Sequence, residues 1–120
     1  MPSIDPLLSR MPKPDYNCLD FAREAWLLVA GDGDVKAKLD ALSAGVHAED
    51  GRVILSAVRG FRKLDKPVSP CFVVMQRSKM QPHIGVFYNG RVLHLKENGV
   101  EYQPVQVARR YFTKIGYYAE

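Results

Sequence analysis

The chain has 120 residues, of which 47% are hydrophobic and 25% charged, a composition that excludes a disordered or fibrous protein and predicts one globular domain, residues 1–120. The net charge of +4 suits an anionic partner, and the sequence pI of about 9.2 is the one motive for a nucleic-acid-binding alternative. Because the basic residues are scattered, we expect no nucleic-acid partner. No apolar run suits a signal peptide or a membrane span, so we expect cytoplasmic synthesis and no membrane partner.

The first part of the chain predicts an arm followed by a helix. Residues 1–16 contain four prolines and predict an extended arm, because proline fixes its own φ and lacks a backbone donor. Apolar residues recur at helical spacing through residues 18–30, which predicts an amphipathic helix. Asn17 is the expected N-cap, and Gly31 and Gly33 are expected to end the helix.

The rest of the chain predicts mostly strands. Residues 34–43 predict a second helix, residues 52–58 fit either a strand or a helical turn, and residues 60–70 predict a loop. A short helix is expected over residues 107–112. Apolar runs and turn residues predict five strands, over residues 72–76, 83–88, 91–96, 101–105 and 114–118. Helices followed by a mainly antiparallel sheet of about five strands define an α+β fold.

Two histidines are expected to meet on one hairpin. The Asn89-Gly90 pair predicts a two-residue type I′ turn between the second and third strands. With that turn, Gly85 lies opposite His94, and alternation puts His83 and His94 on the same face as diagonal neighbours, about 7–8 Å apart at the backbone. The space left at Gly85 allows the imidazoles to share a hydrogen bond. One could then act as a base while the other fixes its tautomer.

A candidate nucleophile lies at the predicted helix start. A helix N-terminus and a neighbouring imidazolium both lower the pKa of a cysteine thiol. Packing the helix against the hairpin face would bring Cys18 to His83, so we expect a thiolate–imidazolium pair able to attack a carbonyl carbon. Backbone amides of Cys18 and its first-turn neighbours would stabilise the oxyanion.

Structural interpretations of the same residues stay open. A cysteine on an apolar helix stripe often belongs simply to the core. Cys71 precedes an apolar strand and is expected to pack there, and His47 has no assigned role. A Cys18–Cys71 disulfide and a Cys/His zinc site are alternatives, although the spacings match no familiar zinc ligand pattern, so we expect no metal.

Three segments resemble the NlpC family of papain-like cysteine peptidases, which cut peptidoglycan stem peptides. The family has a cysteine that opens a helix, then a strand of the form His-Val-Gly-Ile-Tyr, then a third polar residue on the adjoining strand. The corresponding segments here are residues 16–21 (YNCLDF), 83–88 (HIGVFY) and 92–94 (VLH). The resemblance implies a papain-like fold with the Cys18 helix on the sheet, Cys18 as nucleophile, His83 as base and His94 as third member. It also implies a thioacyl-enzyme and no cofactor.

The chain departs from the family beside the nucleophile. Asn17 replaces the usual aspartate and Leu19 the usual serine, neighbours that help to bind the free amine of the substrate, so Asn17 is a candidate substrate-binding residue. Short members of this kind resemble phage or prophage proteins carried in a tail or released at lysis. The expected partners are a peptidoglycan peptide and other phage tail proteins in a virion. The alternative is a catalytically inactive tail or virion assembly protein with the same fold.

Overall fold

The computed structural model describes residues 3–31, 61–77 and 82–119. These residues form an α+β fold with a 3-10 helix (Asp5–Leu7), helices α1 (Cys18–Ala30) and α2 (Val105–Ala108), and strands β1 (Arg62–Leu64), β2 (Cys71–Gln76), β3 (His83–Tyr88), β4 (Arg91–Lys96), β5 (Gly99–Pro104) and β6 (Lys114–Ala119). These strands form one sheet of order β1-β6-β2-β3-β4-β5, in which all five neighbouring pairs are antiparallel. The predictions for residues 34–43, residues 52–58 and His47 lie outside the described residues.

Helix α1 begins and ends at residues whose chemistry favours those boundaries. The Asn17 side chain accepts hydrogen bonds from the amides of Leu19 and Asp20, and the Asp20 carboxylate accepts one from the Asn17 amide at 3.0 Å. This reciprocal capping box satisfies donors that the first helical turn leaves without partners. Gly31 ends the helix in the left-handed region with φ 65°, which glycine adopts at little cost.

Several sequence predictions were wrong in detail. The sheet has six strands in the described residues rather than about five, because β1 lies in the predicted loop, where it pairs with β6. The arm is not wholly extended, since it turns through a 3-10 helix that buries Leu7 in the core. Helix α2 is shorter and earlier than predicted. The helices in the described residues are too short or too polar to cross a lipid bilayer.

The two faces of the sheet bury different residues. The first face packs under α1, whose buried side chains Phe21, Ala22, Ala25 and Trp26 meet Phe72, Val74, Ile84, Val86, Leu93 and Leu95. The opposite face holds a second cluster, formed by Cys71, Val73, Met75, Val92, Ala108, Tyr117 and Ala119. Alternation along β3 and β4 puts both histidines on this second face.

The predicted packing of α1 on the histidine face was therefore wrong. Ile84, Val86, Leu93 and Leu95 offer α1 an unbroken apolar surface, and they lie on the other side of the hairpin. An imidazole and a lysine on the histidine face would leave polar groups under the apolar stripe of α1, which is costly. Cys18 consequently reaches the hairpin at the end of the sheet, where β3 begins, instead of from above the histidine face.

Candidate active site

The hairpin between β3 and β4 fixes the position of the two histidines. Asn89 and Gly90 both have positive φ, 54° and 86°, as a type I′ turn requires. Val86 pairs with Leu93 across the hairpin, which confirms the register predicted from the turn. A slip of one residue would have moved the histidines to the α1 face.

His83 and His94 share a hydrogen bond, as the sequence predicted. His83 Nε2 lies 2.8 Å from His94 Nδ1, and the two rings meet edge to face with centroids 5.0 Å apart. Gly85 makes room for this contact, because a Cβ there would lie 2.8 Å from the Leu93 carbonyl oxygen and 2.9 Å from the His94 Cβ. Two neutral imidazoles at this distance form one bond, in which one ring donates and the other accepts.

Three further residues enclose the histidine pair. The ring of Phe112 stacks on His83, with centroids 5.8 Å apart and planes within 4° of parallel. On β5, Gln103 Nε2 lies 2.9 Å from His94 Nε2, and a Glu101 carboxylate oxygen lies 4.0 Å from the same nitrogen. His94 is completely buried, so both of its ring nitrogens have protein partners.

These partners of His94 were not predicted from the sequence. Strand β5 was predicted, but the face on which its side chains lie was not. The observed register pairs His94 with Glu101 and Val92 with Gln103. Alternation along β5 would have placed Glu101 and Gln103 on the histidine face, since residues two apart share a face.

Both histidines are neutral at neutral pH. Burial, followed by the positive charges that His94 and Lys96 would bring, lowers the pKa of His83 to about 3. Burial and the Lys96 ammonium lower the pKa of His94 to about 4. Desolvation penalises the charged form of an imidazole, so the pair is held as two uncharged rings.

Cys18 is neutral as well, which corrects the expected thiolate–imidazolium pair. Burial raises the pKa of the Cys18 thiol, and the Asp20 carboxylate raises it further, whereas the backbone amides of Ile84 and Leu19 act in the opposite direction. The amide of Ile84 places the thiol beside the start of β3. Among the described residues no hydrogen bond joins the Cys18 thiol to His83, and burial outweighs the effect of the helix N-terminus.

The capping box also changes the expected oxyanion site. The amides of Leu19 and Asp20 donate to the Asn17 side-chain oxygen at 3.1 and 3.3 Å, so the cap uses two of the first-turn donors. The amide of Cys18 itself is the first-turn donor outside the cap. Asn17, the candidate substrate-binding residue, lines the cleft with its side-chain oxygen engaged in capping.

A cleft of about 720 Å³ brings Cys18 and His83 to one surface. The arm forms part of its wall through Lys13 and Tyr16. Arg10 Nη2 lies 2.9 Å from a Glu24 carboxylate oxygen, and the Tyr16 hydroxyl hydrogen-bonds the same carboxylate. These bonds tie the arm to α1 and hold one side of the cleft in place.

Cys18 and Cys71 are both free thiols, so the disulfide alternative was wrong. Cys71 is fully buried in the second cluster, as expected for a packing residue. Within residues 3–31, 61–77 and 82–119, no group of three His, Cys, Asp or Glu side chains is arranged to hold a metal ion.

Comparisons with protein families, curated proteins and solved structures give no match in any of the three. The chemistry available in the cleft comes from the Cys18 thiol at the start of α1 and from the neutral His83, which lines the same cleft and is hydrogen-bonded to the buried His94.

Proposed function

We propose that this protein is a papain-like cysteine hydrolase of the NlpC type, an endopeptidase or amidase that acts on peptidoglycan stem peptides. The proposal rests mainly on one observation. Cys18 and the hydrogen-bonded pair His83–His94 are far apart in sequence, yet Cys18 and His83 line the same cleft. Nucleophile, base and a third group orienting the base are the arrangement that thiol-dependent acyl transfer requires.

Because Cys18 and His83 are both neutral, the proposed reaction uses His83 as a general base. His83 takes the thiol proton as the Cys18 sulfur attacks the peptide carbonyl carbon, and the Cys18 amide stabilises the oxyanion. His83 then gives that proton to the leaving amine, and the C–N bond breaks to leave a thioester on Cys18. A water molecule, deprotonated by His83, attacks the thioester carbonyl. The acid product leaves as the proton returns to the Cys18 sulfur.

The charges along the cleft support a substrate that carries carboxylates. Lys13 and Arg77 are exposed and line the cleft together with Lys96, so that three basic side chains face two acidic ones, Glu97 and Glu101. Peptidoglycan stem peptides carry free carboxylates that basic side chains of this kind would attract. The net charge of +4 acts in the same direction at longer range.

A digest of purified peptidoglycan, with soluble products identified by mass, tests this function. We expect wild-type protein to release peptide fragments, and Cys18→Ala and Cys18→Ser to release none. Cys71→Ala is the matched control, because it removes the other thiol, far from the cleft, and should retain cleavage. Equal product release by wild type and Cys18→Ala would overturn the proposal.

An inactive tail or virion assembly protein is the second candidate, favoured by the raised pKa of the Cys18 thiol. The two candidates differ in what Cys18→Ala does to particles that contain this protein. Normal particle assembly with lost wall cleavage supports the enzyme. Impaired particle assembly in Cys18→Ala, with no change in wall cleavage, supports the assembly role.

A further inference from the structure

Gln103 ends a chain of hydrogen bonds that begins at the cleft. Its side-chain nitrogen lies 2.9 Å from His94 Nε2, and His94 Nδ1 lies 2.8 Å from His83 Nε2. His94 is fully buried, so its tautomer is set by these two neighbours and not by solvent. His83 is the member of the chain that lines the cleft.

The direction of these bonds follows from the amide. An amide nitrogen only donates, so His94 Nε2 must accept and the proton of His94 must lie on Nδ1. That proton is donated to His83 Nε2, which leaves the proton of His83 on its Nδ1. In this arrangement neither nitrogen of His83 has a lone pair free for the thiol proton.

Rotating the amide of Gln103 by half a turn reverses every bond. The side-chain oxygen then accepts from His94 Nε2–H, and His94 Nδ1 accepts from His83 Nε2–H. His83 Nδ1 is now unprotonated and can accept a proton. The oxygen and nitrogen of the amide are nearly equal in size, so the rotation requires no repacking of β5.

We propose that Gln103 is a positioning residue whose amide orientation sets the tautomers of His94 and His83, and so switches His83 between a resting form and a form that can act as a base. The tautomer assignment is independent of any reaction, whereas its catalytic consequence rests on the proposed function.

Two charged groups on neighbouring positions bias the switch. The Glu101 carboxylate, 4.0 Å from His94 Nε2, favours a proton on that nitrogen and therefore the base-competent direction. Lys96 Nζ lies 3.4 Å from Glu101 and 4.8 Å from the centroid of the Tyr111 ring, and it weakens the influence of the carboxylate. Phe112, stacked on His83, brings no charge.

Two variants of Gln103 distinguish the two directions of the hydrogen-bond chain. Gln103→Glu places an acceptor-only carboxylate against His94 Nε2, and Gln103→Met keeps the length of the side chain without the amide. Long-range proton–nitrogen NMR of protein with ¹⁵N-labelled histidine reports which ring nitrogen carries the proton. In the wild type we expect the Nδ1–H form of both histidines to predominate. Gln103→Glu should convert both to Nε2–H, and Gln103→Met should give a mixture.

The variants lie on an edge strand of the described sheet, and backbone amide spectra check that each retains the fold. Identical tautomers in all three folded proteins would overturn the inference. Recording the same spectra in a Cys18→Ala background separates this result from activity. Tautomers that change with residue 103, in a protein that fails to cleave peptidoglycan even with Cys18 intact, would remove the proposed function alone. Unchanged tautomers in an active enzyme would remove only the role of Gln103.

Discussion

Gly85 lies so close to His94 that a Cβ on residue 85 would stand 2.9 Å from the His94 Cβ, nearer than side chains pack. The contact makes the histidine pair depend on the absence of a side chain at one position of β3. It also links the stability of the hairpin to the geometry of the site.

We therefore expect Gly85→Ala to affect fold and site together. The added methyl group meets the Leu93 carbonyl oxygen at 2.8 Å, and this backbone atom cannot turn aside as a side chain can. Overpacking of this kind costs about 1–3 kcal/mol, measurable by urea denaturation. Gly116→Ala is the control, because the three atoms nearest to its Cβ would be side-chain atoms of Tyr118, at 3.1–3.5 Å. Equal losses of unfolding free energy in Gly85→Ala and Gly116→Ala would show that the close contact at Gly85 has no special effect on stability.

The buried histidines should make the protein less stable as the pH falls. Their folded pKa values of about 3 and about 4 lie below the ordinary 6.5, so below that pH the unfolded chain binds protons that the folded chain does not. The stabilisation is complete above pH 6.5 and declines towards pH 4, by roughly 1.4 kcal/mol per pH unit for each histidine. Urea denaturation at a series of pH values measures this slope.

A double variant, His83→Gln with His94→Gln, is the control for that pH dependence. In this double variant the unfolding free energy should change with pH only through other titrating groups, whatever its absolute stability. A slope between pH 6.5 and pH 4 that is the same in wild type and double variant would show that the two imidazoles protonate freely in the folded protein.

Removing the N-cap should destabilise the start of α1, where the proposed nucleophile lies. Asn17→Ala removes the acceptor for the amides of Leu19 and Asp20, and loss of a cap of this kind costs about 0.5–2 kcal/mol. Asn17→Ser retains a capping oxygen and should recover most of the loss. Thermal or urea denaturation compares the three proteins, and an alanine variant as stable as the wild type would refute a capping role for Asn17.

Removing the Glu24 carboxylate charge should loosen the arm with little effect on global stability. Arg10 and Tyr16 both bind Glu24, and the hydrogen bond from Arg10 is the main reason that the pKa of this carboxyl is lowered. Because the Arg10–Glu24 pair is exposed to solvent, Glu24→Gln should lower the free energy of unfolding only slightly. Trypsin cleavage after Arg10 should nevertheless accelerate. Asp15→Asn, an exposed charge loss in the same arm, should leave the cleavage rate unchanged.

Local chemistry made much of the site predictable. Asn17 and Gly31 mark the ends of α1 because their side chain or its absence suits those backbone positions, whatever the rest of the fold does. The Asn89-Gly90 turn sets the β3–β4 register, and the strand period then places His83 beside His94. Each of these inferences uses residues that are close along the chain.

Contacts between distant segments were less predictable. Strand β1 has only three residues and no distinctive pattern, and it is a strand because β6 offers an edge to pair with. The face on which α1 packs depends on the apolar surfaces of the whole hairpin, and the face predicted from the sequence was wrong. Gln103 is a partner of His94 because β5 pairs with β4, a contact that the hairpin alone does not specify.

The amino-acid sequence was sufficient for the helix ends, the hairpin register and the meeting of two imidazoles, since short-range sterics and hydrogen bonds specify all three. Whether the thiol and the imidazoles of the site carry a charge was decided only by the packing of the tertiary structure. Isolated residues favour a thiolate beside an imidazolium at a helix start, but burial removes the water that would stabilise those charges. Desolvation is a property of all the chain segments around a group, so it arises only when the fold is complete.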